Sequence, residues 1–425
     1  MSAHAKEKGM GLWRRATALT LLLLPLAFLL ASGAFAAARK TGDGKVTKAS
    51  GRCGSCHPDE RVAFEKSRHA GEDMHCTSCH GGNDQSLDEA GAHQGNGWRG
   101  KITRAQDPAM CASCHADEKV MQPYDLPVDQ YSQYQTSGHG KLLAKGDGKV
   151  AVCSDCHGAH DVLSAHDPAS RTYVTNIPRT CGTCHGDTTL VRERKMKDTY
   201  HEYLGSVHAK SLFDKGNLKA PTCVSCHGVH GAAPSDIGNV NKVCGRCHTA
   251  ERRYFKSGPH AAAMAAEQMA ECSSCHGDHG IAPSETARLA SSCVKCHDKG
   301  SKDEVLGATL LADYQSAAEA IEKAEKVVAR ADAVPIQTED YKARIEEAHT
   351  YLFEALTAAH AVSPEAMSGY TTRARSVGEE IQEELGSKLQ NITVEKLFLL
   401  VFWFYVIVTI GIIRRFRDAG PRAVK

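Results

Sequence analysis

Cys-x-x-Cys-His is written nine times between residues 53 and 297, and no other feature of the chain limits its fold as strongly. The first cysteines are Cys53, Cys76, Cys111, Cys153, Cys181, Cys223, Cys244, Cys272 and Cys293. The second are Cys56, Cys79, Cys114, Cys156, Cys184, Cys226, Cys247, Cys275 and Cys296. Each copy ends on a histidine: His57, His80, His115, His157, His185, His227, His248, His276 and His297. The chain has 18 cysteines, so the motifs use all of them. A single CxxC suits a redox pair, half of a zinc site, or chance. Zinc clusters do not need a histidine after every pair, and a disulfide framework does not hold the gap at two residues. Repetition in this form fits covalent attachment of haem c: two thiols form thioethers, and the next residue lies under the iron as proximal ligand.

On these motifs, residues 53–297 resemble the multihaem cytochromes c, which implies nine haems c. Residues 37–300 give about 29 residues per motif, too few for an ordinary side-chain core around each cofactor. The expected fold is mainly α with much loop: a haem-cored region, then a long-helix hairpin or three-helix bundle, then one C-terminal transmembrane helix. The polypeptide's formal charge is +1. Haem propionates would make the holoprotein acidic and would draw on the dispersed Lys and Arg. Nothing here points to nucleic acid.

Residues 1–36 read as a secretory signal peptide. Lys6, Lys8, Arg14 and Arg15 precede an apolar run, and Ala34-Phe35-Ala36 fits the cleavage rule. Residues 37–300 form the expected nine-haem domain. Ser-x-His or a close variant (Ser257-Gly258-Pro259-His260 in the last copy), a CxxCH-Gly-x-His and a second CxxCH recur in three clear copies, starting at His139, His208 and His260. A degenerate copy starts at His69, and the motif at Cys53 stands alone, giving one plus four pairs. Residues 301–392 lack cysteine and carry apolar positions at helical spacing, broken at Pro335; Ser363-Pro364 reads as a helix start. Residues 394–413 read as the transmembrane helix, with an uncharged stretch from 397 onward. Arg414, Arg415 and Arg417 then mark 414–425 as a cytoplasmic tail. Together these place the haem domain in the bacterial periplasm, on a single inner-membrane span.

Electron-carrying c haems commonly have histidine on both faces, so nine distal ligands are sought among the remaining histidines. The repeats nominate His69, His139, His208 and His260 from Ser-x-His, and His160, His230 and His279 from CHGxH. Residues three apart share a face on a helical turn, so His160 would reach a haem other than that of His157. His75 and His93 complete the candidate set; His166 and His201 rank below them. His349 and His360, in the helical segment, read as solvated or packed residues.

With the expected anchor, the chain also resembles the class III and NapC/NirT-like electron-transfer cytochromes, which implies a relay in a respiratory chain. Its partners would be a quinol-oxidising membrane subunit and periplasmic cytochromes, reductases or outer-membrane acceptors. Those relatives carry an N-terminal anchor and fewer haems, so the relay role is carried over but not the quinol site. The helical segment could also support oligomers. The long helices are reminiscent of multihaem nitrite reductases and hydroxylamine oxidoreductases, so the alternative is an enzyme of that class with one open iron. The nitrite reductases mark that iron with lysine in place of the motif histidine, and here every motif has histidine.

Overall fold

The computed structural model describes residues 51–231, 242–266 and 271–418. The expected signal peptide, most of the leader, residues 232–241 after His230 and the end of the expected C-terminal tail lie outside the described residues. Among the described residues every regular element is a helix. Contacts divide the chain into two units: residues 51–65 with 69–99, and residues 66–68 with 100–418.

In the smaller unit, a short turn at Cys53–Cys56 leads into the helix Pro58–Glu65. The motif helix Cys76–His80 is followed by a glycine-rich loop. Gly81 has φ 68°, and a side chain there would meet the carbonyl of Gly97 at 2.4 Å, so only glycine permits the loop to close.

In the larger unit, short helices carry the motifs and three long ones follow. Motif helices such as Cys153–His157 and Cys223–His227 are single turns. Others, Asp107–His115 and Ile177–His185, start on proline within the first turn, where no amide hydrogen bond is lost. Buried serines start the helices bearing Ser-x-His. Ser137 Oγ accepts from the Gly140 amide at 2.9 Å, and Ser206 Oγ from Ala209 at 3.1 Å.

The helical segment is an up-down-up three-helix bundle of Lys302–Ala331, Glu339–Ala358 and Pro364–Asp418. The first ends before Pro335, and Ser363 accepts from the Ala366 amide at 3.3 Å at the head of the third. Its core is Ala317, Ile321, Ala324 and Val328 against Tyr341, Ile345, Leu352, Ala374, Ile381 and Leu385. Small residues bring backbones close: a Cβ on Gly378 would lie 2.7 Å from the Ala320 carbonyl carbon. Across the bundle, Arg375 donates to Asp313 at 2.6 Å and Arg344 to Glu380 at 2.9 Å. The third helix does not break at 392–394 but runs on for 55 residues. Its apolar end, including Phe398, Trp403, Phe404 and Ile413, is exposed, and it is the described helix long and apolar enough to cross a membrane.

Candidate haem sites

No two cysteines are joined by a disulfide, so all 18 sulfurs can serve thioether attachment. The motif histidines pair with distant histidines in a consistent pattern. Ring centres lie 6.1 Å apart for His57 and His93, 6.2 Å for His185 and His139, and 6.0 Å for His157 and His230. They lie 6.4 Å apart for His248 and His208, 5.9 Å for His227 and His279, and 6.2 Å for His297 and His260. His276 faces His360 at 6.0 Å.

This spacing tests whether the residues fit the cofactor. Metal–imidazole bonds are about 2 Å long, and the ring centre sits roughly 1.1 Å behind the bonding nitrogen, so two rings on opposite sides of one metal have centres about 6 Å apart. The seven separations fall between 5.9 and 6.4 Å, while the interplanar angles run from 8° to 57°. An axial bond fixes distance and leaves rotation free, whereas ring stacking would fix the angle as well. Burial pushes His139, His157, His185, His208, His230 and His276 below the usual imidazole range. They are thereby held neutral, the form that offers a lone pair to a metal. The residues fit.

The thiols define which motifs adjoin. Hydrogen bonding to Cys153 raises the pKa of Cys111, as bonding to Cys223 does for Cys181 and to Cys244 for Cys272. The sulfurs of Cys111 and Cys153 and an Asp107 carboxylate oxygen all lie within 4.8 Å of one another. In the smaller unit, burial and then the nearby Cys53 raise Cys76 to about 11. The second cysteines meet in the complementary pattern. Burial comes first in each case, but Cys184 also raises Cys156, Cys244 and Cys247 raise Cys226, and Cys296 raises Cys275. From Cys111 to Cys296, therefore, each motif adjoins the next in chain order. The contacts alternate between first cysteines and second cysteines. First-cysteine contacts group the motifs at 53 and 76, 111 and 153, 181 and 223, and 244 and 272. Second-cysteine contacts group 153 with 181, 223 with 244 and 272 with 293, as the repeats do; the first-cysteine phase differs in also pairing the motif at Cys53.

The helical-turn account of CHGxH is corrected. Gly158, Gly228 and Gly277 follow the motif histidine with φ of 88°, 80° and 81°, which ends the helix at that point. The later histidine follows in non-helical backbone instead of sharing a helix face. His230, three residues after His227, thus stands opposite His157, and His279, three after His276, stands opposite His227.

The remaining candidates are placed as follows. His69 opens the short helix His69–Glu72, and His160 lies in the bend after Cys153–His157. His80 and His115 end their motif helices. His75 is the N-cap of Cys76–His80, its amide donating to Ser78 Oγ at 3.0 Å. His93 also stacks on Trp98 at 4.6 Å. His201 bonds Asp198 at 2.8 Å and His349 bonds Glu325 at 2.8 Å, both at the surface.

Two features escaped sequence reading. One is His360, expected to be solvated or packed but lying opposite His276. The other is a tyrosine three residues before the serine of each of the three clear copies. Tyr134 donates to the Ala151 carbonyl and Tyr203 to the Pro221 carbonyl, both at 2.9 Å, two residues ahead of the following motif. The recurring Tyr-x-x-Ser was the available signal.

Known families agree with this chemistry. The cytochrome c3 family matches residues 147–249, and the cytochrome c554 and c-prime family matches 243–329. These matches support a multihaem cytochrome c. The multiheme cytochrome MtrA of Shewanella baltica (strain OS185) is 26% identical over 144 residues, which is 32% of this chain and 31% of that protein. The chain thus spans about a third of the curated relative it matches. No solved structure matches it.

Proposed function

We propose that this multihaem cytochrome carries nine haems c and relays electrons in a respiratory chain, held at the inner membrane by its C-terminal helix with the haem domain in the periplasm. The observation that carries this is the combination of seven histidine pairs at one separation with thiol contacts running in chain order. Haem c, when bound, supplies reversible one-electron exchange at iron. The polypeptide's part is to hold and space the cofactors. Each CxxCH pair of cysteines would anchor one haem. Six of the paired distal histidines, His93, His139, His208, His230, His260 and His279, would complete two-histidine coordination, and His69 is assigned the same role from its repeat position. His160 holds the Gly-x-His position of its copy, and His75 remains the weakest of the candidate set. Buried serines fix the helices that bring His139 and His208 into place.

Two-histidine coordination at the seven paired sites would leave no vacant position there, which favours a relay over the nitrite- or hydroxylamine-converting alternative. Partners on this reading are a quinol-oxidising membrane subunit and periplasmic or outer-membrane redox proteins. Intact mass spectrometry of the mature protein tests the count, and the expected mass is the processed chain plus nine haems. Optical and electron paramagnetic resonance spectra should show low-spin haem throughout. A native high-spin haem that binds nitrite or hydroxylamine would overturn the relay reading in favour of the enzyme.

A further inference from the structure

We propose that His360, donated by the helical bundle, is the distal ligand of the iron held by His276, and that this bond fastens the bundle to the end of a row of haem sites. The inference rests on the haem reading above. Counting motifs along the chain, the fourth, sixth and eighth form a row built by one rule. The fourth motif's His157 faces His230, which belongs to the sixth motif, and the sixth motif's His227 faces His279, which belongs to the eighth. The eighth motif's His276 has no later CxxCH-Gly-x-His to complete it. Left so, it would be the open iron that the enzyme alternative requires. His360 stands there instead, at 6.0 Å and 23° between ring planes.

The bundle holds His360 as a ligand is held. Its Nδ1 lies 3.0 Å from the Thr357 carbonyl, so that nitrogen carries the proton and Nε2 keeps its lone pair. The residue sits in the single turn Ala359–Ala361 between the second and third bundle helices. That turn closes on Val362 at φ 51°, a left-handed conformation costly for a β-branched side chain. It also packs tightly on the haem domain: a Cβ on Gly258 would lie 2.6 Å from the Ala361 carbonyl oxygen. A second tie lies beside it. In the last repeat copy Tyr254 takes the place of Tyr134 and Tyr203, and its hydroxyl lies 3.0 Å from that of Tyr370 in the third bundle helix.

The test is His360→Gly in the haem-loaded full chain, with His349→Gly on the exposed bundle face as control. Expected is one haem equivalent of new high-spin signal per chain, reverted to low-spin by added imidazole, with no change in the control. An unchanged low-spin spectrum in a protein of normal helix content overturns the proposal. Should His360→Gly not accumulate, His360→Met keeps a ligand in place. It should stay low-spin while moving one haem to a higher potential in a redox titration, and a titration identical to the parent also overturns the proposal. Parent protein lacking covalent haem would instead sink the underlying reading, so the two failures are distinguishable.

Discussion

Gly378→Ala is the sharpest probe of the bundle. The added methyl would lie 2.7 Å from the Ala320 carbonyl carbon, 2.8 Å from its oxygen and 3.0 Å from the Ile321 amide nitrogen. These are backbone atoms that cannot rotate away, so the first and third helices must separate. Overpacking of this kind costs about 1–3 kcal/mol. Against it stands helix propensity, which favours alanine over glycine by about 1 kcal/mol. The same helix supplies a control, because a Cβ on the exposed Gly369 meets nothing within 4 Å. Gly369→Ala should therefore keep the full propensity gain, and Gly378→Ala should fall about 1–3 kcal/mol below it. Chemical denaturation followed by the helical circular dichroism signal measures the difference. Equal stability of the two variants would refute the close approach of these helices.

Other expectations follow from the haem sites. His230→Ala and His279→Ala should each turn one haem equivalent high-spin in the resonance spectrum, whereas His166→Ala and His201→Ala should change nothing; a silent spectrum for both of the first two would remove the row of sites. Tyr203→Phe removes the hydrogen bond to the Pro221 carbonyl and should lower stability by about 1 kcal/mol in thermal unfolding; an unchanged midpoint would count against a structural role for the repeated tyrosine.

The covalent chemistry could be read directly in the sequence because thioether attachment needs fixed spacing, which leaves a literal pattern. The helical segment was legible for a similar reason: residues such as Ile321, Ala324 and Val328 recur at helical period and are buried. Distal positions were legible as residue types, because the repeat carries Ser-x-His and Gly-x-His. Their partners were not, since a pairing such as His157 with His230 spans a long stretch of chain and depends on tertiary structure. Gly158, Gly228 and Gly277 held the missed clue, since glycine after the motif histidine signals a helix stop. His360 was hidden by its setting, where a histidine near a helix end looks like ordinary surface. Only the rule that each site in the row borrows its histidine from the next motif exposes a vacancy at His276, and that rule becomes visible only once the pairs are placed.

The bundle also bears on where electrons can enter. Arg375 to Asp313, Arg344 to Glu380 and Lys388 to the Tyr341 hydroxyl tie the third helix to its neighbours along its first half. His360 lies just before that helix starts at Pro364, and the uncharged stretch begins at residue 397. At about 1.5 Å per residue the two are roughly 50 Å apart along the axis. On the proposed anchoring, the His276–His360 site stands above the bilayer by more than the hydrocarbon core's own thickness of about 30 Å. A quinol confined to lipid cannot contact it directly, so the expectation is a protein donor that rises beside the bundle. In vesicles carrying the anchored chain and lipid-confined quinol alone, the haem marked by His360→Met should stay oxidised, and soluble dithionite should reduce it. Rapid reduction by the quinol alone would show that another part of the array reaches the bilayer, and the need for a separate donor would fall.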